Sequence, residues 1–481
     1  MNQHTELSHD TDPTFINDCF DAQKDRAFQL RTSSAAERIA SLKRLQKALV
    51  ASRQALYQAF EEDFGKPEVE VELTEILPVL EEIGHAIRHL RKWMRPRRVG
   101  MTLTSLGSAA RVEYQPRGRC LIIGPWNYPV ATLIAPLVSA IGAGNTAICK
   151  PSEYTPAVNA VLAQVLSTAF TADTVVMICG GVATSTALLA LPFDHIFFTG
   201  SAAVGRIVMT AAARHLASVT LELGGKSPAV VDQTADVKRA AELILWGKLI
   251  NAGQSCIAPD HVFVHRRVRD EFLKECKELL AARYGTQVNT VHSDLARIIN
   301  RAHAERIANL IEDALASGVP LLCGGQYDID RCHVAPTLLG APVNDARIGH
   351  EEIFGPLLPI IEFDSLTEVI AQINAGPKPL ALYLWSKSKK VAQRLLAVTS
   401  SGGVCINHCM QQYTQCNLPF GGVNHSGMGS SHGVYGFRAF SHERAILTGG
   451  AFLPIRWLFA PYTQTKMKLA RCISILVSRR V

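Results

Sequence analysis

The sequence predicts an α/β protein built around a doubly wound parallel sheet, and three observations carry that prediction. The chain has 481 residues, of which 48% are hydrophobic, enough core for two to four domains of ordinary size. Between residues 120 and 216, short apolar runs alternate with helical stretches, the pattern of successive βαβ units. Residues 120–149 carry no charge at all, as expected of parallel strands covered on both faces. A membrane span of that length fits poorly, because the run contains Pro125, Pro129, Pro136, Asn127, Asn145 and several glycines.

Composition excludes other classes. A net charge of +7 with 19% charged residues is too little charge on too hydrophobic a chain for disorder. No block of consecutive Lys and Arg dominates, so nucleic-acid binding has no footprint. The twelve cysteines are scattered from Cys19 to Cys472, and the N-terminus lacks a basic segment followed by an apolar one. The expectation is a cytoplasmic protein with free thiols.

Along the chain, the first ~30 residues are polar and are expected to be loosely held. Ser34 and Glu37 form a capping box, after which Ile39, Leu42, Leu45 and Leu49 recur at helical spacing. A second helical stretch runs from about Glu70 to Trp93 and ends at Pro96 among Arg95, Arg97 and Arg98, read as a solvated helix end. The sheet then follows as strands at 120–124, 146–150, 175–181 and 195–200, with helices at 130–144, 155–170, 183–191 and 201–216. A second α/β stretch has strands at 228–232 and 261–265 and helices near 235–250 and 268–283. Beyond about residue 400 the chain turns Gly- and Cys-rich and irregular, a place for site loops.

Three motif look-alikes fail. Asp63-Phe64-Gly65 copies a kinase tripeptide without the catalytic loop that should follow. Gly225-Lys226-Ser227 ends like a phosphate-binding loop, but the required first glycine is Thr220. Cys405, His408, Cys409 and Cys416 lack the second paired unit of a zinc site, so no metal is expected.

Other segments make chemical sense together. Gly200, Ser201 and Gly205 lie between a strand and a helix, where small residues and a helix N-terminus suit a pyrophosphate. Lys150 and Glu153 follow a strand and suit the hydroxyls of an adenosine ribose. Glu222 is an acid inside an apolar strand, where burial raises a carboxyl pKa and makes a general base. Cys256 follows Gly253-Gln254-Ser255 in a loop after a helix, off the core periodicity. Each has a bland structural reading when taken singly.

Taken in order, GPWNYP (124–129), KPSE (150–153), FTGSAAVG (198–205), LELGGKSP (221–228), NAGQSCIAPD (251–260), EEIFGP (351–356) and LPFGGVNHSGMG (418–429) resemble the NAD(P)-dependent aldehyde dehydrogenase superfamily. The resemblance spans roughly residues 34–445. Its class 3 branch is the most similar, and within that branch the bacterial coniferyl aldehyde dehydrogenases.

The resemblance implies a Rossmann-like NAD(P)-binding domain at 1–97 and 120–221 and a catalytic domain at 222–405. It also implies an oligomerisation arm at 98–119 and 406–445, leaving 446–481 as a C-terminal tail. It implies that Cys256 attacks the aldehyde, that Asn127 and the Cys256 N–H receive the oxyanion, and that hydride passes to the nicotinamide. Glu222 then activates water against the thioester. Glu352 and Phe354 would hold the nicotinamide ribose and ring, Lys150 and Glu153 the adenosine ribose, and Ser201 with Trp126 the pyrophosphate region. Lys226 matches the family motif without an assigned role. The expected cofactor is NAD, with NADP possible, and the expected assembly is a homodimer. The substrate would be aromatic, such as coniferyl aldehyde, or a medium- to long-chain aliphatic aldehyde.

Two departures concern the substrate mouth: Asn424-His425 replaces a usual glycine before SGMG, and Asn407-His408-Cys409 lacks the acidic residue common after that Asn. The alternatives are a coenzyme-A-acylating dehydrogenase, which need not keep Glu222, and a catalytically silent relative used as a binding protein. The tail from Lys466 to Val481 holds five basic and no acidic residues, and its longest uncharged run, Cys472–Ser478, is too short to cross a bilayer. The expectation is that it packs on the enzyme or a partner subunit.

Overall fold

A computed structural model of the chain describes residues 10–285, 294–343, 345–450, 456–457 and 459–478. The N-terminus departs from expectation. From residue 13 it is not loose but a helix, Pro13–Leu30, whose N-cap Asp12 accepts from the Thr14 N–H. Its polar composition hides a stripe of Ile16, Phe20, Gln23 and Ala27, all buried, at the i, i+4, i+7, i+11 spacing of one helix face. Gln23 Nε2 donates to the Ala147 carbonyl at 3.0 Å, tying the helix to the central sheet.

Ala35–Ala51 starts at the expected capping box, with Ser34 and Glu37 exchanging hydrogen bonds. Arg53–Phe64 follows, and Asp63 accepts from the Ala157 and Val158 N–H groups at 3.1 and 2.9 Å. The look-alike tripeptide thus caps the start of the helix Pro156–Ala169. The second helical stretch runs Glu68–Val71, through a π turn at Glu72–Ile76, into Leu77–Trp93. Arg95, Arg97 and Arg98 are exposed, but Arg97–Val99 is a strand rather than a frayed helix end.

The uncharged run becomes strand Arg119–Ile123, helix Pro129–Ala143 and strand Thr146–Lys150. The sheet order is Gly427–Met428, Ser218–Glu222, His195–Thr199, Arg119–Ile123, Thr146–Lys150, Val175–Met177. All neighbours are parallel except the first pair.

A second sheet of seven strands runs Leu321–Cys323, Thr337–Leu339, Leu357–Phe363, His261–His265, Pro228–Val231, Ala381–Trp385, Gly403–Ile406. It is parallel apart from its Leu321–Cys323 edge. A third, antiparallel sheet joins Arg97–Val99, Ser108–Pro116 and Ser441–Gly449. Helices cover the parallel sheets, and the loops at the C-terminal ends of their strands are where a doubly wound protein places its ligand.

A buried ion pair fixes one of those loops. Lys66 Nζ lies 3.0 Å from Glu75 Oε1 with both side chains fully enclosed. The other Glu75 oxygen accepts from the Val130 and Ala131 N–H groups at the start of Pro129–Ala143. Glu75→Ala would strand the Lys66 charge and free two helix N–H groups. We expect a loss of about 3–5 kcal/mol, the usual cost of breaking a buried pair, read from urea unfolding at neutral pH. A loss under about 1 kcal/mol would mean the pair behaves like a surface one.

Candidate active site

The two parallel sheets share a cavity of about 910 Å³ lined from segments far apart in the chain, among them Trp126, Asn127, Glu222, Cys256, Glu352 and Phe354. Gly200 and Ser201 line it as well. The sequence scattered these residues over more than two hundred positions, and the fold gathers them at the strand ends.

Cys256 sits in a turn after Val237–Leu249 and the short turn Ile250–Gly253. That turn is held in an unusual shape. Asn251 and Ala252 have φ of 54° and 51°, and Gly253 has φ of 75°. A Cβ on Gly253 would meet the Gly355 carbonyl oxygen at 2.3 Å, so only glycine fits. Gln254 staples the turn from inside, donating to the Asn251 and Arg297 carbonyls and accepting from the Ile299 N–H, each at 3.0 Å. Asn127 faces the same turn: its Nδ2 donates to the Gln254 carbonyl at 3.0 Å, and Asn251 Nδ2 donates back to the Asn127 carbonyl at 2.9 Å. The PWN loop and the cysteine loop are thereby locked together.

Cys256 is half-buried. Burial, then the Glu352 and Glu222 carboxylates, push its thiol up to about 12, opposed by the N–H groups of Cys256 and Ile257. The other cysteines are also free thiols, and Cys120, Cys149, Cys276, Cys405 and Cys409 are buried in the core. Burial raises these as well. Position on the cavity wall, not an unusual thiol pKa, distinguishes Cys256.

Glu222 ends the strand Ser218–Glu222 and is 4% exposed. One carboxyl oxygen accepts from Ser431 Oγ at 3.1 Å, and the other is buried without a partner. Burial pushes its pKa up to about 8, with the Ser431 hydrogen bond opposing. Ser431 arrives because Gly427–Met428 pairs with the strand carrying Glu222, a contact over 209 residues that no local sequence signal announces.

Glu352 packs on the backbone of the LELGG segment. A Cβ on Gly224 would meet its Oε2 at 2.3 Å, so the glycine makes room for the carboxylate. Its Oε1 is a buried acceptor without a partner, and burial lifts its pKa to about 7. Trp126 and Phe354 meet edge-to-face at 5.5 Å beside this group. Lys226 has a structural task the sequence did not reveal. Its Nζ donates to Asp260 Oδ1 at 2.6 Å and to the Ile348 and Glu351 carbonyls at 2.9 and 2.8 Å, while Asp260 Oδ2 accepts from the Ile353 N–H at 2.9 Å. Lys226 and Asp260 therefore clamp the EEIFGP segment to the cysteine loop.

The remaining sequence candidates lie around one end. Ser201 caps the helix Ala202–Arg214, accepting from the Val204 N–H at 3.3 Å. Gly205 turns inward, where a Cβ would meet Leu223 at 2.7 Å; it allows close helix–strand packing and does not line the cavity. Lys150 and Glu153 form a 3.3 Å ion pair at the end of Thr146–Lys150, also outside the cavity lining.

The site has the features a dinucleotide needs. The N-terminus of Ala202–Arg214 opens on the cavity beside Gly200, a ready anion site. The orphaned Glu352 oxygen offers an acceptor for a hydroxyl. The lining also includes Trp246, Met410, Tyr413 and Phe420. Such a mixed lining suits a polar cofactor and an apolar substrate meeting at Cys256.

Comparison with known proteins agrees. The profile of the aldehyde dehydrogenase family matches residues 6–446. The "Probable coniferyl aldehyde dehydrogenase" of Pseudomonas aeruginosa is 40% identical over 439 residues, 90% of this chain and 91% of that protein. Aldehyde dehydrogenase family 3 member H1 of Arabidopsis thaliana is 37% identical, over 91% of this chain and 90% of that protein. Among solved structures, the substrate-bound state of Staphylococcus aureus AldH superposes with a TM-score of 0.90 at 39% identity, covering 95% of this chain and 99% of that one.

Proposed function

Because the chain belongs to the aldehyde dehydrogenase family and oxidises aldehydes with a nicotinamide cofactor, we propose that Cys256, Glu222 and Asn127 carry out the chemistry. The observation that carries this reading is the convergence of all three on one cavity from distant segments.

Cys256 Sγ adds to the aldehyde carbonyl carbon, forming a thiohemiacetal. The Asn127 amide and the Cys256 N–H receive the developing oxyanion, an arrangement that stabilises charge without reorganisation. A bound nicotinamide would supply the hydride acceptor, so that loss of hydride from the carbon and of a proton from the oxygen turns the Cys256 adduct into a thioester. Glu222 then takes a proton from water, which attacks the thioester and releases the carboxylic acid. Glu352 and Phe354 would hold the nicotinamide ribose and ring, and Trp126, edge-to-face with Phe354, would lie with Ser201 near the pyrophosphate. Gly200 and Ser201 would line the pyrophosphate site, Gly205 would serve it only by letting the helix Ala202–Arg214 pack close to Leu223, and Lys150 with Glu153, beyond the cavity lining, would take the adenosine ribose.

A coenzyme-A acyltransferring role or a silent one is not favoured, since Glu222 is enclosed with its second oxygen unpartnered, as a water-activating base requires. The apolar side chains in the lining support an aromatic or medium- to long-chain aliphatic aldehyde, with coniferyl aldehyde as the aromatic example. Glu153 opposes a 2′-phosphate and supports NAD over NADP, although Lys150 beside it softens the preference. The strands Arg97–Val99 and Ser441–Gly449 are the outer strands of their sheet, which supports homodimer formation through that arm. Among the described residues no helix is long and apolar enough to cross a membrane; a cytoplasmic location fits the free thiols.

The test is a panel of aromatic and aliphatic aldehydes against NAD and NADP, with and without coenzyme A. Acid formation with NAD, independent of coenzyme A and favouring apolar aldehydes, is expected. Turnover only to a coenzyme-A thioester would overturn the hydrolytic reading.

A further inference from the structure

The short helix Glu68–Val71 and the π turn Glu72–Ile76 adjoin the cavity, with Leu73 and Thr74 in its lining. The hydrogen bonds of a π turn span five residues, and such turns recur at functional sites. Two acids five positions apart reach the site's loops from this stretch. Glu75 holds the Val130 and Ala131 N–H groups just beyond Asn127. Glu70 reaches the cysteine loop: its Oε2 accepts from the Asn251 N–H at 2.8 Å, across 181 residues of sequence.

Asn251 is the hub of that loop. It has φ of 54°, and Ala252 after it has φ of 51°. Two consecutive residues thus sit in the left-handed region that a β-carbon disfavours, and such backbone persists only where its surroundings hold it. Gln254 Nε2 grips the Asn251 carbonyl at 3.0 Å, and Glu70 grips the Asn251 N–H. Both peptide groups flanking the turned residue are thereby fixed, and with them its φ and ψ. From this position the Asn251 side chain donates to the Asn127 carbonyl at 2.9 Å and to the Gln254 carbonyl at 3.1 Å. Gln254 and Ser255 lead directly into Cys256.

We propose that Glu70 is a positioning residue for the reaction, holding Asn251 so that Cys256 and Asn127 keep their placement relative to each other. Glu70 is not part of the cavity lining, so it acts through Asn251 and not on the substrate. The proposal rests on the roles given above to Cys256 and Asn127. Without the carboxylate, the Asn251 N–H loses this acceptor. The turn can then relax toward right-handed backbone, carrying the Asn251 amide away from the Asn127 carbonyl. A misplacement of reacting groups by about 1 Å costs on the order of 100-fold in rate, whereas binding of aldehyde and cofactor draws on other contacts. The loss therefore falls on the chemical step and not on KM.

The experiment measures formation of reduced cofactor in a single turnover, with enzyme in excess over aldehyde, together with steady-state kcat and KM. Glu70→Ala is expected to slow the single turnover by about 10- to 100-fold, with KM and cofactor affinity within about twofold of the original. Glu70→Gln keeps an oxygen acceptor at the same reach and should retain the rate within about threefold. Glu70→Asp keeps the charge but draws it back by one methylene, and should be slowed at least about fivefold; it carries the test should the alanine variant not fold. An unaltered single-turnover rate in Glu70→Ala or Glu70→Asp would overturn the proposal. So would a glutamine variant as slow as alanine, which would assign the effect to charge, or a raised KM at an unaltered rate, which would assign it to binding. Cys256→Ala is run alongside. Turnover in that variant would refute the role of Cys256 itself, whereas a silent Cys256→Ala beside full-rate Glu70 variants refutes only the positioning role.

Discussion

Cys256→Ala is expected to abolish aldehyde oxidation, lowering kcat/KM by more than about 10⁴-fold, while binding of the nicotinamide cofactor is preserved. In the proposed mechanism the sulfur bonds to the substrate, and alanine leaves the hydrogen bonds around the turn in place. The turn around it is held by Asn251, Gln254 and Asn127 through backbone carbonyls and N–H groups, not through the thiol. The Lys226–Asp260 clamp is equally independent of it. Loss of turnover should therefore come without loss of stability, read as an unaltered thermal midpoint and unaltered cofactor affinity by calorimetry. Residual activity within tenfold of the original would mean another of the twelve cysteines can serve, and would sink the assignment.

Glu222→Gln is expected to split the reaction in time. One equivalent of reduced cofactor per site should appear in a burst, after which steady turnover falls on the order of 10²–10⁴-fold, the range for removing a general base. Glutamine keeps the contact with Ser431 but cannot take a proton from water. Burial holds the Glu222 pKa up at about 8, so the ionised base grows as pH rises through 8, and thioester hydrolysis should rise with it in the native enzyme but not in the variant.

The same shift makes a stability statement. A carboxyl with its folded pKa above its unfolded value of 4.5 contributes stability that is fully present below 4.5 and lost as pH climbs through about 8. Glu222→Gln should therefore gain thermal stability relative to the native chain between pH 5 and pH 8.5, and melts at the two pH values check the sign. Undiminished steady turnover in the variant would assign water activation to another group.

The strand–helix alternation from residue 120 onward was legible because parallel strands buried on both faces must be apolar along their whole length. The capping box at Ser34 and Glu37 was legible because it is closed by residues three apart. The N-terminal helix escaped because only Ile16, Phe20, Gln23 and Ala27 of its eighteen residues are buried, and average polarity outweighs so thin a stripe. The strand at Arg97–Val99 escaped because all three residues are exposed and its partner lies across a turn.

For the site, the available side chains could be read from residue order alone: a cysteine after a glycine-containing turn, an acid at the end of an apolar strand, an amide in a proline-bounded loop. Their chemistry is a property of residue type, so it survives without coordinates. What each one meets depends on the packing of distant segments. It brought Ser431 to Glu222 across 209 positions and gave Lys226 its clamp on Asp260 and the Glu351 carbonyl. It turned Gly205 toward Leu223 and left the basic C-terminal helix without a buried residue. The physical reason is range. Propensity, capping and periodicity act over a few residues, whereas burial, hydrogen-bond partnership and pKa depend on neighbours chosen by the packing of distant segments.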